Sequence, residues 1–290
     1  MKFSVCLDSL YFDLKYFGAS PENVLEGMNL AKGAGFHAVE FFGPRKDIPS
    51  IVKAKNDLRL EIGAIATTLD SWTWPCVPGT PAPFVTLCDP SLRDSYLENL
   101  RQRIAEAKQL DCKFIITHAG DVIEGASREH QRGSLVAGLK EAAKLVEAAE
   151  VTLVVEPINA IDHPGDFLTS SNEAFAILDE VGSPNVKLLY DIYHQQVMEG
   201  NLIDTITKNI EQIGYLHAAS NPGRTDIRYG EINYREVLKA VAETGYDGYC
   251  GLEYTLKTDF ATTLKESFDF MTQSLQSARA LKAGAPLSRM

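Results

Sequence analysis

Residues 151–159 have the sequence VTLVVEPIN, which indicates the fold of the chain. Its first part is mostly apolar and β-branched, which is typical of a strand that is buried on both faces of a parallel sheet. Glu156 then places a charge at the end of this strand, where burial is costly without a partner or a cation. Pro157 ends the strand, because proline has no N–H to donate to a neighbouring strand. We therefore predict that Glu156 lies at the carboxyl edge of a parallel sheet, where α/β proteins place their functional residues.

The composition limits the classes to which the protein can belong. Its 290 residues are 45% hydrophobic and no linker divides them, so we predict a single domain over residues 1–290 with a frayed tail after about residue 283. The net charge of −11 argues against nucleic acid or an anionic membrane as a partner. The chain has no apolar run as long as a membrane span and no signal-peptide pattern. The five cysteines lack CxxC pairing, and three of them lie in predicted strands, so we expect buried thiols at Cys6, Cys112 and Cys250 and a cytoplasmic protein.

Strand and helix patterns alternate along the whole chain. Amphipathic segments predict about eight helices between the strands, and such alternation implies parallel pairing through right-handed crossovers. Eight units in roughly 250 residues predict an α/β fold of the TIM barrel, (β/α)8, type. The alternative is an open doubly wound sheet, but it needs a glycine-rich turn after the first strand, and residues 6–14 (CLDSLYFDL) contain none. The predicted strands are residues 3–7, 36–42, 60–68, 112–117, 151–156, 186–191, 213–219 and 248–253.

Four consecutive strands end in side chains that can bind a metal ion. Strand five ends at Glu156, strand six at Asp191 and strand eight at Glu253, while strand seven carries His217. In a barrel these strand ends converge on one mouth, where three like charges would repel each other strongly without a cation. Taken one at a time, each residue is more simply a solvated or salt-bridged rim residue. Taken together they form a mostly hard ligand set, which predicts one divalent metal ion: Mn²⁺, Mg²⁺ or Co²⁺.

Six short segments carry the most specific motifs of the chain. They are EPIN (156–159), PGDFL (164–168), YDIYHQQVMEGNL (190–202), NPGR (221–224), GEINY (230–234) and GLEY (251–254). With these motifs most of the chain resembles the xylose isomerase-like TIM barrels, within them the branch of hydroxypyruvate isomerases and D-tagatose 3-epimerases. The resemblance implies the same metal ligands, with Glu156 and Glu253 as the catalytic acid/base pair. NPGR followed by GEINY is typical of the hydroxypyruvate isomerase-like members, whereas a histidine at position 217 is typical of the 3-epimerases.

The resemblance implies an isomerase that acts on a small hydroxy-carbonyl substrate through a cis-enediolate, with hydroxypyruvate as the first choice. The residue types agree with this chemistry, since proton removal next to a carbonyl needs nearby bases and a divalent cation stabilises the enediolate. Opposite-face proton transfer at one carbon would instead give an epimer. The alternatives are a ketose 3-epimerase of the D-tagatose or D-psicose type on the same site, a sugar dehydratase, and a non-catalytic sugar-binding barrel.

Six further residues are expected to bind the substrate. The resemblance implies that His194 binds or polarises a substrate oxygen, and Asp162 resembles a substrate-oxygen acid of the epimerases. The Arg224 fork suits a carboxylate such as that of hydroxypyruvate, although a loop arginine is usually just solvated. The remaining three, which are expected to line the pocket, are His118, Glu40 and Trp72. The alternative for His118 is a histidine of the core, and the alternative for Trp72 is simple packing.

We expect a small hydroxy-carbonyl or ketose molecule as the partner, and a homo-oligomer, either a dimer or a tetramer. The segment that holds Trp72, residues 72–84, is expected to form a lid or a subunit contact. The HPG at residues 163–165 resembles a motif of barrel endonucleases that act at abasic DNA sites. Those enzymes use a tri-zinc site with many more histidines than the six of this chain, so the endonuclease is the less favoured alternative.

Overall fold

Eight parallel strands close into a barrel in the computed structural model, which describes residues 1–10, 21–42, 47–67, 86–254 and 259–282. Each strand pairs with the next one along the chain, and the first pairs with the last to complete the ring. The TIM barrel prediction is therefore confirmed, and the open doubly wound sheet is wrong. The strands are β1 (Lys2–Cys6), β2 (Ala38–Phe41), β3 (Glu61–Ala66), β4 (Phe114–His118), β5 (Thr152–Glu156), β6 (Val186–Asp191), β7 (Ile213–Ala218) and β8 (Tyr249–Leu252).

Helices connect the strands. Within the described residues they are α1 (Leu7–Leu10), α2 (Pro21–Ala34), α3 (Ile48–Leu58), α4 (Arg93–Leu110), α5 (Arg128–Ala149), α6 (Ser171–Val181), α7 (Ile192–Met198), α8 (Leu202–Lys208), α9 (Tyr234–Thr244) and α10 (Phe260–Lys282), with short 3₁₀ helices at Pro90–Leu92 and Ile210–Gln212. No helix among the described residues combines the length and the apolar character that a membrane crossing requires.

The sequence does not predict α7, which begins directly after β6. Asp191 is both the last residue of β6 and the N-cap of α7, and its carboxylate accepts hydrogen bonds from the backbone N–H groups of Tyr193 and His194. No turn separates the strand from the helix, so neither glycine nor proline marks the boundary. This direct junction places His194 in the first turn of α7, next to the strand end.

Two apolar clusters follow from the alternation of side chains along each strand. Leu153 and Val155 of β5 belong to the large core between the strands and the surrounding helices. Val154, which lies between them, belongs to a smaller cluster inside the barrel together with Ile116 and Leu189. Successive residues of a strand face opposite sides, so a strand buried on both sides is apolar throughout, as the opening stretch predicts. The predicted buried thiols are also found, since Cys6, Cys112 and Cys250 are buried, and Cys88 is buried as well.

Gly35 permits a close contact between two helices. It follows α2 with a φ of 110°, and a Cβ at this position would lie 2.7 Å from Cε1 of Phe268 in α10. The Phe268 ring in turn packs against Phe36, with the ring centroids 5.3 Å apart. The absence of a side chain at residue 35 therefore lets α10 pack closely against the end of α2.

Gly35→Ala is expected to lower the free energy of unfolding by about 1–3 kcal/mol, because an L-residue is strained at this φ and overlaps Phe268. Urea denaturation measures the change. Gly33→Ala is the matched control, since Gly33 lies in α2 with open space around it and alanine favours a helix. Equal losses of stability in both variants would contradict the assigned role of Gly35.

Candidate metal centre and active site

Four side chains from β5 to β8 converge at the carboxyl end of the barrel. They are Glu156, Asp191, His217 and Glu253, and one potential ligand atom from each lies within 4.8 Å of all the others. We call this set the carboxylate–histidine centre. Its residues have relative exposures of only 3%, 0%, 0% and 6%, in that order, although carboxylates are rarely buried without partners. The structure thus brings together the four residues that are predicted from the sequence as metal ligands at the strand ends.

Each residue of the centre leaves one buried polar atom without a hydrogen-bond partner among the described residues. These atoms are Glu156 Oε1, Asp191 Oδ2, His217 Nδ1 and Glu253 Oε2. The histidine nitrogen lies 2.9 Å from the Glu253 oxygen and 3.9 Å from the Glu156 oxygen. Buried polar atoms are usually paired, because leaving one unpaired costs about 1–3 kcal/mol. A divalent cation would satisfy all four atoms, and this oxygen-rich donor set fits Mn²⁺, Mg²⁺ or Co²⁺.

The other polar atom of each residue in the centre is held by a neighbour from the protein. Glu156 Oε2 lies 3.0 Å from His118 Nε2, and Glu253 Oε1 accepts a hydrogen bond of 2.7 Å from Arg224. Asp191 Oδ1 accepts a hydrogen bond of 2.7 Å from the backbone of Tyr193, and His217 Nε2 lies 2.8 Å from Glu40. Each side chain is therefore fixed from behind, with its unpaired atom directed towards the other three.

The charges of the centre are mutually dependent. Burial raises the pKa of Asp191 to about 7, and the nearby carboxylates of Glu156 and Glu253 add to this shift while Arg224 opposes it. Burial acts in the same direction on Glu253, but Arg224 and His217 overcome it and lower the pKa of Glu253 to about 2. Burial disfavours the charged form of His217, yet Glu40 and Glu253 raise its pKa well above the usual value. The protein thus balances the charge of these carboxylates with the nearby side chains of Arg224 and His217.

His194 lies beside the centre as a neutral imidazole. Its Nε2 is 3.5 Å from Asp191 Oδ2 and 3.9 Å from Glu156 Oε1. Its Nδ1 accepts a hydrogen bond from the backbone N–H of Asn159 at 3.3 Å, so the proton of the neutral ring is on Nε2. Burial and the neighbouring Arg224 lower the pKa of His194 well below the usual value. The geometry therefore presents an N–H donor to the centre.

Asp162 is held in a small hydrogen-bond network next to His194. Its carboxylate accepts hydrogen bonds from the hydroxyl of Tyr193 at 2.6 Å and from the side-chain amide of Asn159 at 3.0 Å. The sequence does not single out Asn159 or Tyr193, although both lie in the quoted motifs EPIN and YDIYHQQVMEGNL. His163 also lies close, with its ring 6.0 Å from that of His194, and burial lowers its pKa to about 4.

Arg224 lies on the NPGR loop, which the GEINY segment fixes in place. The Glu231 carboxylate accepts hydrogen bonds from the side chains of Asn221 at 2.6 Å and Gln196 at 3.2 Å. Gly230 has a φ of 86°, and a Cβ there would overlap the carbonyl oxygen of Asn221. The spacing between the two motifs thus reflects a direct contact between them.

A cavity of about 710 Å³ opens beside the centre. Its lining includes Asp162, Tyr193 and Arg224, each of which contacts the centre or a neighbour of the centre. A volume of this size accommodates a small-molecule ligand. Two of the three residues are predicted substrate contacts, Asp162 and Arg224. His118 instead contacts Glu156.

One of the predicted substrate residues, Glu40, lies away from the cavity. Glu40 was expected in the pocket wall, but it is fully buried inside the barrel, and its carboxylate contacts Ser4, Tyr215 and His217. The register of β2 turns this side chain inward, so it lies behind His217 relative to the other residues of the centre. Trp72 and the rest of the 72–84 segment lie outside the described residues.

Comparisons with known proteins agree with this architecture. Residues 28–274 match the family model described as xylose isomerase-like TIM barrel. The hydroxypyruvate isomerase of Escherichia coli K12 is 37% identical over 171 residues, which are 59% of this chain and 66% of that enzyme. A putative hydroxypyruvate isomerase of Homo sapiens is 32% identical and is matched over 79% of this chain and 83% of its own length. The 2-oxo-tetronate isomerase of Cupriavidus necator is 30% identical, with 79% of this chain and 86% of that enzyme matched.

Solved structures show the same fold. An AP endonuclease of family 2 from Brucella melitensis superposes with a TM-score of 0.79 at 25% identity, covering 91% of this chain and 96% of that one. An L-ribulose 3-epimerase superposes with a TM-score of 0.81 at 21% identity, covering 99% of both chains. The chain therefore belongs to the xylose isomerase-like TIM barrel family, and its relatives support the prediction that it is an isomerase.

Proposed function

We propose that this protein is a divalent-metal-dependent isomerase of a small hydroxy-carbonyl substrate, with hydroxypyruvate as the first candidate. One observation carries the proposal: four buried atoms from three carboxylates and one histidine face one another without hydrogen-bond partners among the described residues. The relatives named hydroxypyruvate isomerase support the choice of substrate.

The four residues of the carboxylate–histidine centre would hold the cation. When bound, the cation would stabilise negative charge on the substrate oxygens as a proton leaves the neighbouring carbon. The remaining chemistry belongs to side chains of the protein. His194 has its Nε2–H on the side of the centre, where it donates a hydrogen bond to a substrate oxygen.

We assign the proton transfers to Glu156 and Glu253. They lie at the ends of β5 and β8, so two strands separate them around the barrel, and they approach the substrate from different sides. His118 holds one oxygen of Glu156, and Arg224 holds one oxygen of Glu253. These contacts fix the orientation of each carboxylate, as a general acid or base requires in order to take up or return a proton.

We assign the substrate carboxylate to Arg224. One of its terminal nitrogens binds Glu253, whereas its Nε is buried and has no hydrogen-bond partner among the described residues. The guanidinium also lies over the ring of Tyr193, with 5.5 Å between Cζ and the ring centroid, which limits its motion. An N–H donor of fixed orientation at the cavity suits the carboxylate of hydroxypyruvate.

A ketose 3-epimerase on the same site is the second candidate. His217 favours it, because the resemblance associates a histidine at this position with the 3-epimerases. The abasic-site endonuclease has less support, since the only group of potential metal ligands among the described residues contains a single histidine. The net charge of −11 also disfavours a DNA backbone as substrate.

The decisive assay compares chelator-stripped protein with protein restored by Mn²⁺, Mg²⁺ or Co²⁺. Restored protein is expected to isomerise hydroxypyruvate, and a panel of ketoses with product stereochemistry tests the 3-epimerase. Glu156→Gln is expected to lower kcat by about 10²- to 10⁴-fold, the usual contribution of a general acid or base. Glu61→Gln is the control, since Glu61 pairs with Lys2 at the opposite end of the barrel. No turnover on any hydroxy-acid or ketose of the panel would refute the proposal.

Mn²⁺ binding is expected to strengthen as the pH rises through about 7. The pKa of Asp191 is raised to about 7, so below this pH a proton competes with the cation for the carboxylate. Calorimetric titrations at about pH 6 and about pH 8, each in two buffers, should show more proton release at the lower pH. Asp204→Asn is the control, because Asp204 is an exposed carboxylate that pairs with Lys208. An affinity that stays constant or falls over this range would contradict the assigned ligand set.

Arg224→Lys is expected to impair carboxylate substrates selectively. Losing a charge-assisted hydrogen bond of about 1.5–3 kcal/mol should lower kcat/KM for hydroxypyruvate roughly 10- to 100-fold more than for an uncharged ketose. The measurement is the ratio of the two kcat/KM values in wild type and variant. Arg228→Lys is the matched control, because Arg228 lies four residues further along and pairs with Asp226 and Glu266. An equal loss on both substrates would show that Arg224 acts only through Glu253.

A further inference from the structure

Glu40 is a fully buried carboxylate inside the barrel. A buried carboxylate is costly unless several donors compensate for its lost hydration. Here the hydroxyl of Ser4 on β1 donates to Oε1, the hydroxyl of Tyr215 on β7 donates to the same atom at 2.9 Å, and His217 Nε2 lies 2.8 Å from Oε2. Both oxygens of Glu40 are therefore engaged by neighbours, and the neighbour of Oε2 is His217.

Neighbouring strands leave room for this network. Gly251 lies on β8, and a Cβ there would overlap Oε1 of Glu40. Gly63 lies on β3, where a Cβ would overlap the hydroxyl of Tyr215. The small residues of two strands thus accommodate the buried polar side chains of two others. Gly251 stands two residues before Glu253, so the same short segment provides a residue of the centre and space for Glu40.

The contact fixes which nitrogen of His217 faces the centre. A carboxylate accepts hydrogen bonds, so Glu40 would retain the proton on Nε2 when His217 is the neutral imidazole that a metal ion requires. Nδ1 is then the nitrogen that lies 2.9 Å from Glu253 Oε2, and it is one of the four unpaired atoms. With both ring nitrogens assigned, a rotation of the ring would break the contact with Glu40.

We propose that Glu40 is a positioning residue, which keeps the proton of His217 on Nε2 and presents Nδ1 as a metal ligand. Glu40 touches neither the cavity nor the other residues of the centre, and acts only through His217. The inference rests on the proposed metal site. A carboxylate behind a ligating histidine also makes the imidazole a stronger ligand, and removing such a partner typically weakens metal binding about 10- to 100-fold.

Isothermal titration with Mn²⁺ on wild type, Glu40→Gln, His217→Gln and the double variant tests the proposal. Glu40→Gln is expected to raise the Kd for Mn²⁺ about 10- to 100-fold. In the His217→Gln background the same change is expected to have little further effect, since the imidazole that Glu40 orients is gone. A purely structural role would give the same effect in both backgrounds. Glu106→Gln is the matched control, because Glu106 is also buried but pairs with Arg103 on α4.

Nitrogen-15 NMR of the Mg²⁺-loaded protein gives a second measurement. The His217 resonances, identified by their loss in His217→Gln, are expected to show a proton on Nε2 and none on Nδ1. In Glu40→Gln this preference is expected to weaken. An unchanged tautomer preference in Glu40→Gln would overturn the proposal.

The outcomes separate this inference from the proposed function. If wild type binds no Mn²⁺, the metal site itself fails. If wild type binds Mn²⁺ and Glu40→Gln binds it equally well, only the role of Glu40 fails. Thermal unfolding of the metal-free proteins checks that each variant is folded. Should Glu40→Gln not fold, Ser4→Ala decides: removing one donor to Glu40 should weaken Mn²⁺ binding by a smaller factor, and an unchanged Kd would overturn the proposal.

Discussion

Three carboxylates that repel one another are buried together at the end of the barrel, and their neighbours are arranged to compensate for this repulsion. Glu156, Asp191 and Glu253 are removed from water at the mouth of the barrel, where like charges interact strongly. Arg224 and His118 compensate part of this charge from the sides, and each occupies only one oxygen of its carboxylate. The oxygens left over face inward. Such an arrangement lowers the stability of the folded protein. This cost supports the proposal that a cation binds between these oxygens.

The register of the parallel strands places the compensating residues next to the carboxylates. Parallel pairing sets His118 beside Glu156 on β4 and β5, and Asp191 beside His217 on β6 and β7. The residues of these two pairs therefore lie on adjacent strands at the same height, where the backbone hydrogen bonds hold them. The loops then add residues that strands alone do not supply, such as Arg224 on a segment fixed by Glu231. Rigid strands carry the centre, and the connecting segments form the cavity beside it.

The residues of the centre are supported in layers. Each residue of the centre has a neighbour that orients it, and several of these neighbours have partners of their own, as Glu40 does in Ser4 and Tyr215. Such support matters because a ligand that is free to rotate loses affinity and precision. The same barrel can thus serve different substrates, since changes in the loops alter the cavity while the strand ends keep their geometry.

The barrel and the four residues of the centre could be predicted from the sequence, because both depend on local patterns. A β-branched run that ends in a charged or imidazole side chain marks a strand end, and eight alternations fix the architecture. Tertiary structure alone decided the partners. Glu40 and His217 are 177 residues apart, and only the closure of the barrel brings the inward side chains of β2 and β7 together. Helix α7 was likewise not predicted from the sequence, because Asp191 is both the last residue of a strand and the N-cap of the following helix. Contacts between distant strands depend on register and closure, which no local pattern encodes.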